Sequence, residues 1–167
     1  MNRRTAFALT LLIVLTGCQA VNPRVATQLN QQAALHGDLP LNPLSGKVIT
    51  SWIDKTDPQH PSMSTLYGNE IAVQFARTQP THDYPSGSVL SLVTWNQQED
   101  ERWFGGEIPS TPKSVEIVSV TRTANNATSF SYQVFEGSPL KRASSRVEST
   151  PGDRTEFLLS QRAAVMP

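Results

Sequence analysis

The sequence predicts an α+β domain, an antiparallel β-sheet with one or two flanking helices. Three observations carry this expectation. Short β-branched or alternating apolar runs recur along the chain, the clearest at 46–53, 88–95 and 114–122. A single helical repeat of apolar residues begins just after Asn69. Twelve prolines and nine glycines in 167 residues punctuate the runs with turns.

The totals set the scale. An apolar fraction of 38% supports a modest core, and the length suits one domain plus some unstructured chain. Lys+Arg and Asp+Glu balance at 14 each, so no net field steers nucleic acid to the surface. The one cysteine, Cys18, leaves no intrachain disulfide and no cysteine-based metal cluster.

Residues 1–17 read as an export signal. Arg3 and Arg4 supply its positive end, and Ala6 to Leu15 an apolar run shorter than the roughly 20 residues a bilayer span needs. Leu15-Thr16-Gly17-Cys18 resembles a bacterial lipobox. The resemblance implies cleavage between Gly17 and Cys18, a diacylglyceryl group on the Cys18 thiol and a fatty acid such as palmitate on its amine. Several chains on one residue meet the condition for stable anchoring, since each buried methylene contributes about 0.8 kcal/mol. The bland alternative is a secretory signal with a stray cysteine. By the same resemblance, Gln19 favours the outer membrane, facing the periplasm. Residues 18–44 are then the lipidated N-terminus and tether, with a loosely periodic helix over 25–35.

Within 45–160, each element has a local cause. Gly46 to Ile53 reads as a strand with Val48, Thr50 and Trp52 on one face and Ile49 and Ile53 on the other. Asp57 to Pro61 breaks it, and Met63 to Tyr67 forms a second short strand ended by Gly68. Asn69 is placed to cap a helix of about nine residues, with Glu70 at its positive end. Ile71, Ala72, Phe75 and Ala76 share one side of it, and Pro80 stops it. Ser88 to Trp95 is apolar on both faces, so it reads as a central strand covered on both sides. A charged loop follows at 97–102, then the aromatic pair Trp103-Phe104 beside Gly105 and Gly106. Ser114 to Arg122 is a β-branched run that needs either a bulge or burial on both faces. With the alternating Phe130, Tyr132 and Val134, and a turn at Asn125-Asn126, it makes a hairpin. Thr155 to Ser160 reads as a last short strand, and 161–167 as a tail.

The stretch from Ser64 onwards resembles the cytochrome P-460 family. The resemblance rests on Leu66 to Ala72 (LYGNEIA), on Tyr84 to Leu90 (YPSGSVL) and on Trp95, and covers roughly 46–135. It implies a β-rich domain with flanking helices, often a homodimer. It also implies a c-type haem hung from a Cys-x-x-Cys-His motif, with a lysine cross-link near the end of the helix. This sequence has no such motif, and 76–84 contains Arg77 and His82 but no lysine. A covalently held haem is therefore not expected, and no cofactor is assigned.

Other chemistry is thin. His36 reads as a solvated surface residue. His60 and His82 are the weak candidates for a non-covalent haem or a metal, but no two histidines have ligand spacing. No metal site and no catalytic residue are assigned. Glu99, Asp100, Glu101 and Arg102 read as a solvated turn, and no Gly-x-Ser-x-Gly nucleophile elbow occurs. Trp103 and Phe104 suit either a core plug, the favoured reading, or a pocket wall. The sequence thus points to a lipid-anchored envelope protein with a haem-less domain that binds or interacts. The alternative is a redox protein holding haem or metal through His82 or His60. A third reading, a purely structural envelope component, predicts a solid core.

Overall fold

The computed structural model describes residues 30–164 apart from 80, 82, 126 and 144–150. Cys18 and the leader, residues 25–29 of the expected 25–35 helix, Pro80, His82 and Asn126 lie outside the described residues. Six strands form one antiparallel sheet in sequence order: β1 (Lys47–Asp54), β2 (Ser62–Gly68), β3 (Val89–Glu99), β4 (Glu107–Arg122), β5 (Thr128–Glu136) and β6 (Lys141–Arg142). Helix α1 (Glu70–Thr78) links β2 to β3, and α2 (Pro151–Ser160) follows the sheet. The sheet and its helices confirm the α+β expectation.

The sheet is buried on both faces, which is why β3 and β4 read as continuous apolar runs. On the first face, Leu66 and Leu92 stand in one cross-strand row, with Leu90 and Val118 in the next. Ala72, Val73 and Ala76 of α1, Tyr84, and Leu158 and Leu159 of α2 pack onto them. On the second face, Val93, Val115 and Phe135 form a row. It is covered by Ala33, Leu35, Leu39, Leu41 and Leu140. Trp95 fastens this cover by donating its indole N–H to Ala33 O at 2.9 Å. Leu140 N–H donates to His36 O at 2.7 Å and Asp38 N–H to Leu140 O at 3.1 Å.

Local chemistry explains the starts and stops. Asn69 Oδ1 accepts from Ala72 N–H at 3.1 Å, and its amide donates to Gly87 O at 2.7 Å, so one side chain caps α1 and ties down the turn before β3. A Cβ on Gly68 would sit 2.8 Å from Ile49 Cδ1 and 3.1 Å from Ala72 Cβ, so a side chain there would press on the core where β2 runs into the helix. The β1–β2 register shifts between Val48 and Thr50, and the extra residue, Ile49, turns into the first core. β4 shows no register shift against β5, so burial on both faces, not a bulge, accounts for its run of apolar residues.

Several expectations need correction. Residues 155–160 are helical, not a strand: Thr155, Leu158 and Leu159 are buried at i, i+3 and i+4, the spacing of one helix face. A short apolar run such as Phe157-Leu158-Leu159 cannot separate the two by itself. The chain after α2 turns back, with Ala163 N–H on Ala76 O and Ala164 N–H on Ile49 O at 2.8 Å. Residues 31–33 form a single 3-10 turn and Ala34 is extended, because this segment lies flat on the second face. In α1 Val73 is buried while Ile71 is 45% exposed. β3 runs on to Glu99 through the expected 97–102 loop. β4 begins at Glu107; Pro109 and Pro112 fit because β5 pairs only from Ser114 onward. Phe130 is 48% exposed, and the deeply buried aromatic of β5 is Phe135, on the opposite face.

Two outcomes follow. Leu66→Ala is expected to lower stability by about 2–5 kcal/mol, read as a lower urea midpoint at unchanged slope. Tyr84 packs on Phe75 at 4.7 Å between ring centroids, and burial pushes its phenol up to about 12 from an ordinary 10. A raised folded value favours the protonated form. Its stabilisation is complete below pH 10 and is lost as pH rises from about 10 towards about 12. Tyr84→Phe should flatten that alkaline loss in unfolding curves taken between pH 9 and 12.

Candidate functional site

Among the described residues Glu116 is the one buried carboxylate, standing on the sheet's first face in the same row as Leu66 and Leu92 and only 7% exposed. A buried carboxylate needs partners, since leaving its charge unpaired costs several kcal/mol. Two elements supply them. Arg154, in the first half of α2, donates Nε–H to Glu116 Oε2 at 3.0 Å and Nη2–H to Oε1. Tyr132 of β5 donates its hydroxyl to Oε2 at 2.6 Å. The guanidinium also stacks 4.8 Å from the Phe157 ring centre, and Phe157 meets Trp52 edge-on at 6.1 Å. This network pins α2 to the middle of the sheet.

The electrostatics agree with the geometry. The Glu116 hydrogen bond holds the Arg154 guanidinium above its usual range. Burial, reinforced by the adjacent Glu116 charge, raises the Tyr132 phenol well above an ordinary tyrosine. Both oxygens of Glu116 are engaged, so the group serves as an anchor and not as a free general base.

Beside the network, the gap between β5 and α2 opens into a cleft of about 590 Å³, walled by Phe130, Tyr132, Thr155, Glu156 and Leu159. Its apolar walls with a few hydroxyls and one carboxylate match the usual make-up of a small-molecule site. A second concavity of about 350 Å³ lies where 41–47 crosses Tyr67, Asn69 and Val89. The exposed Lys47–Glu70 ion pair stands on its rim, and it draws the Glu70 carboxyl below its usual value.

The residues expected to carry chemistry are not brought together. His60 sits in the exposed β1–β2 loop with Nδ1 2.9 Å from Asp57 Oδ2, and this contact, first among its causes, lowers the Asp57 pKa. His36 is exposed on the N-terminal cover. His82, Gly17 and Cys18 lie outside the described residues. Trp103 and Phe104, expected in the core, are 74% and fully exposed, because β3 and β4 continue past their neighbours and carry the pair out on the turn. Asp100 pairs with Arg102 in that turn at 3.1 Å. Among the described residues no three His, Cys, Asp or Glu side chains are grouped to hold a metal ion.

The donor set also decides how well haem fits. The described walls of both concavities carry no imidazole, thiolate or thioether. The cleft's phenol, Tyr132, is already donating to Glu116. The second concavity does present a phenol, Tyr67, a side-chain type that can ligate haem iron, but burial raises its pKa and disfavours the phenolate that iron needs; no step is derived through haem. Glu116 and Arg154 were missed in the sequence. The available signal was a lone glutamate inside a β-branched run for which burial on both faces was one of two readings, and a buried glutamate demands a cation from elsewhere.

A single sheet covered by helices on one face and by an extended segment on the other, with a side cleft, defines an α+β sheet domain. The family model for Cytochrome P460 matches residues 46–151, from the start of β1 to the first residue of α2. The match spans more than half of the chain, and the chain belongs to this family. No curated protein matches it.

Arg154→Ala should cost about 2–3 kcal/mol by stranding the buried Glu116 charge, less than for a fully buried pair because Arg154 is partly exposed to water. Adding Glu116→Gln should recover part of that loss, a coupling that a double-mutant cycle in urea measures.

Proposed function

We propose that this protein is a lipid-anchored cell-envelope protein whose Cytochrome P460 domain works by non-covalent binding. The observation that carries the reading is the position of its sole cysteine, Cys18, at the end of Leu15-Thr16-Gly17-Cys18. Acylation there consumes the one thiol in the sequence, so none is left for a thioether to haem. The acyl chains would hold the domain at the outer membrane on the periplasmic side, with Gln19 as the supporting residue.

The binding part of the reading is supported by the cleft between β5 and α2. Its rings and Leu159 suit an apolar body. The Thr155 and Ser160 hydroxyls and the Glu156 carboxylate at the wall suit polar ends. Glu116, saturated by Arg154 and Tyr132, offers no base for turnover.

Cells grown with radioactive palmitate should label the wild-type chain and leave Cys18→Ser unlabelled. Label on Cys18→Ser would overturn the anchor. Titration of the purified full chain with haemin should give no saturable Soret shift at one equivalent. A sharp shift at that ratio would replace binding of another ligand with a haem function.

A further inference from the structure

The β3–β4 hairpin tip carries the most exposed apolar side chains of the described chain, Trp103 at 74% and Phe104 fully exposed. The turn that presents them is built, not loose. Asp100 N–H donates to Gly106 O at 2.9 Å, Trp103 N–H to Asp100 O at 3.1 Å and Gly106 N–H to Trp103 O at 2.8 Å. Asp100 Oδ1 also accepts from Arg102 N–H and Nε–H at 2.9 and 3.1 Å. Gly105 takes φ +72°, which L side chains rarely adopt. Much of the turn's polar backbone is thereby satisfied internally while the two rings stand out of it.

The hairpin projects. β2 pairs with β3 as far as Asn96, and one further bond joins Gln97 N–H to Pro61 O at 3.3 Å, so Gln98–Glu99 and Glu107–Ile108 form a two-stranded stalk. The N-terminal segment joins the domain at the base of that stalk. Asn30 Nδ2 donates to Pro109 O at 2.6 Å, and Pro109 pairs with Gln97. From Pro109 to the turn is two strand residues, about 7 Å. Asn30 lies twelve positions after Cys18, a contour of at most about 42 Å.

We infer that the Trp103–Phe104 tip inserts into the headgroup region of the bilayer that holds Cys18, making a second contact beside the acyl chains. The inference rests on the lipid-anchor reading. Tryptophan and phenylalanine suit the interface, where an apolar ring meets lipid and the indole N–H stays hydrated. The carboxylates of Glu99, Asp100, Glu101 and Glu107 outnumber the Arg102 guanidinium at the tip. They keep the insertion shallow and select zwitterionic over anionic lipid. A second copy of the chain is a poorer fit, because two side chains bury far less than the roughly 1,200 Å² of a stable protein pair.

The test uses the full acylated chain in phosphatidylcholine vesicles with brominated acyl chains. Tryptophan emission should fall in the wild type, and Trp103→Phe, which retains Trp52 and Trp95, should lose that quenching. Vesicle-bound wild type without quenching overturns the inserted tip and leaves the anchor standing. Equal quenching in Trp103→Phe overturns it too, as does an unquenched Trp103 in a protein that cross-links as a dimer. Wild type that fails to sediment with vesicles, no better than Cys18→Ser, removes the anchor and the inference together.

Discussion

Burial of β3 and β4 on both faces is the constraint that organises the molecule. Leu90 and Leu92 point one way and Val93 the other, and all are withdrawn from water. Burying such side chains contributes about 1.5–3 kcal/mol each, so each face must find a cover. The first face takes α1, α2 and Tyr84. The second takes an extended strip, because residues 33–41 present apolar side chains at intervals but no helical stripe. A nine-residue helix such as α1 has little stability of its own in water, so it exists as a lid on this sheet.

The polar groups follow from that arrangement. Placing Glu116 on the covered face forces a cation to the same spot, and α2 delivers Arg154. The ion pair, the Tyr132 hydroxyl and the stack on Phe157 then fix the angle at which α2 meets the sheet. Where α2 and β5 stand apart, the cleft opens. The cleft and the buried charge therefore share an origin. A pair so enclosed contributes more to a defined orientation than to net stability, since desolvation offsets most of the attraction.

The sheet's other end has a different logic. β3 and β4 outrun their neighbours, so no other described strand covers the turn that joins them. Trp103 and Phe104 are apolar residues held outside the core by a hydrogen-bonded turn, at the end where Asn30 meets the sheet.

Local chemistry was legible in the residues themselves. Asn69 as cap, Glu70 in the first turn, the ending of β2 at Gly68 and the hairpin of β4 with β5 each depend on neighbours within a few positions. The two-sided burial of β3 was equally readable, because a strand apolar on both faces has one physical solution. The identity of the covers was not. Residues 33–41 and 155–160 carry patterns too short to choose strand, helix or strip, and contacts more than 60 residues away, such as Trp95 with Ala33, decided them. The exposure of Trp103 and Phe104 was hidden for the same reason: it depends on how far β2 pairs along β3, which is a property of the assembled sheet. Sequence alone determined what each segment is able to do locally. The tertiary structure decided which segments meet, because burial and charge pairing are settled between residues that the chain itself keeps far apart.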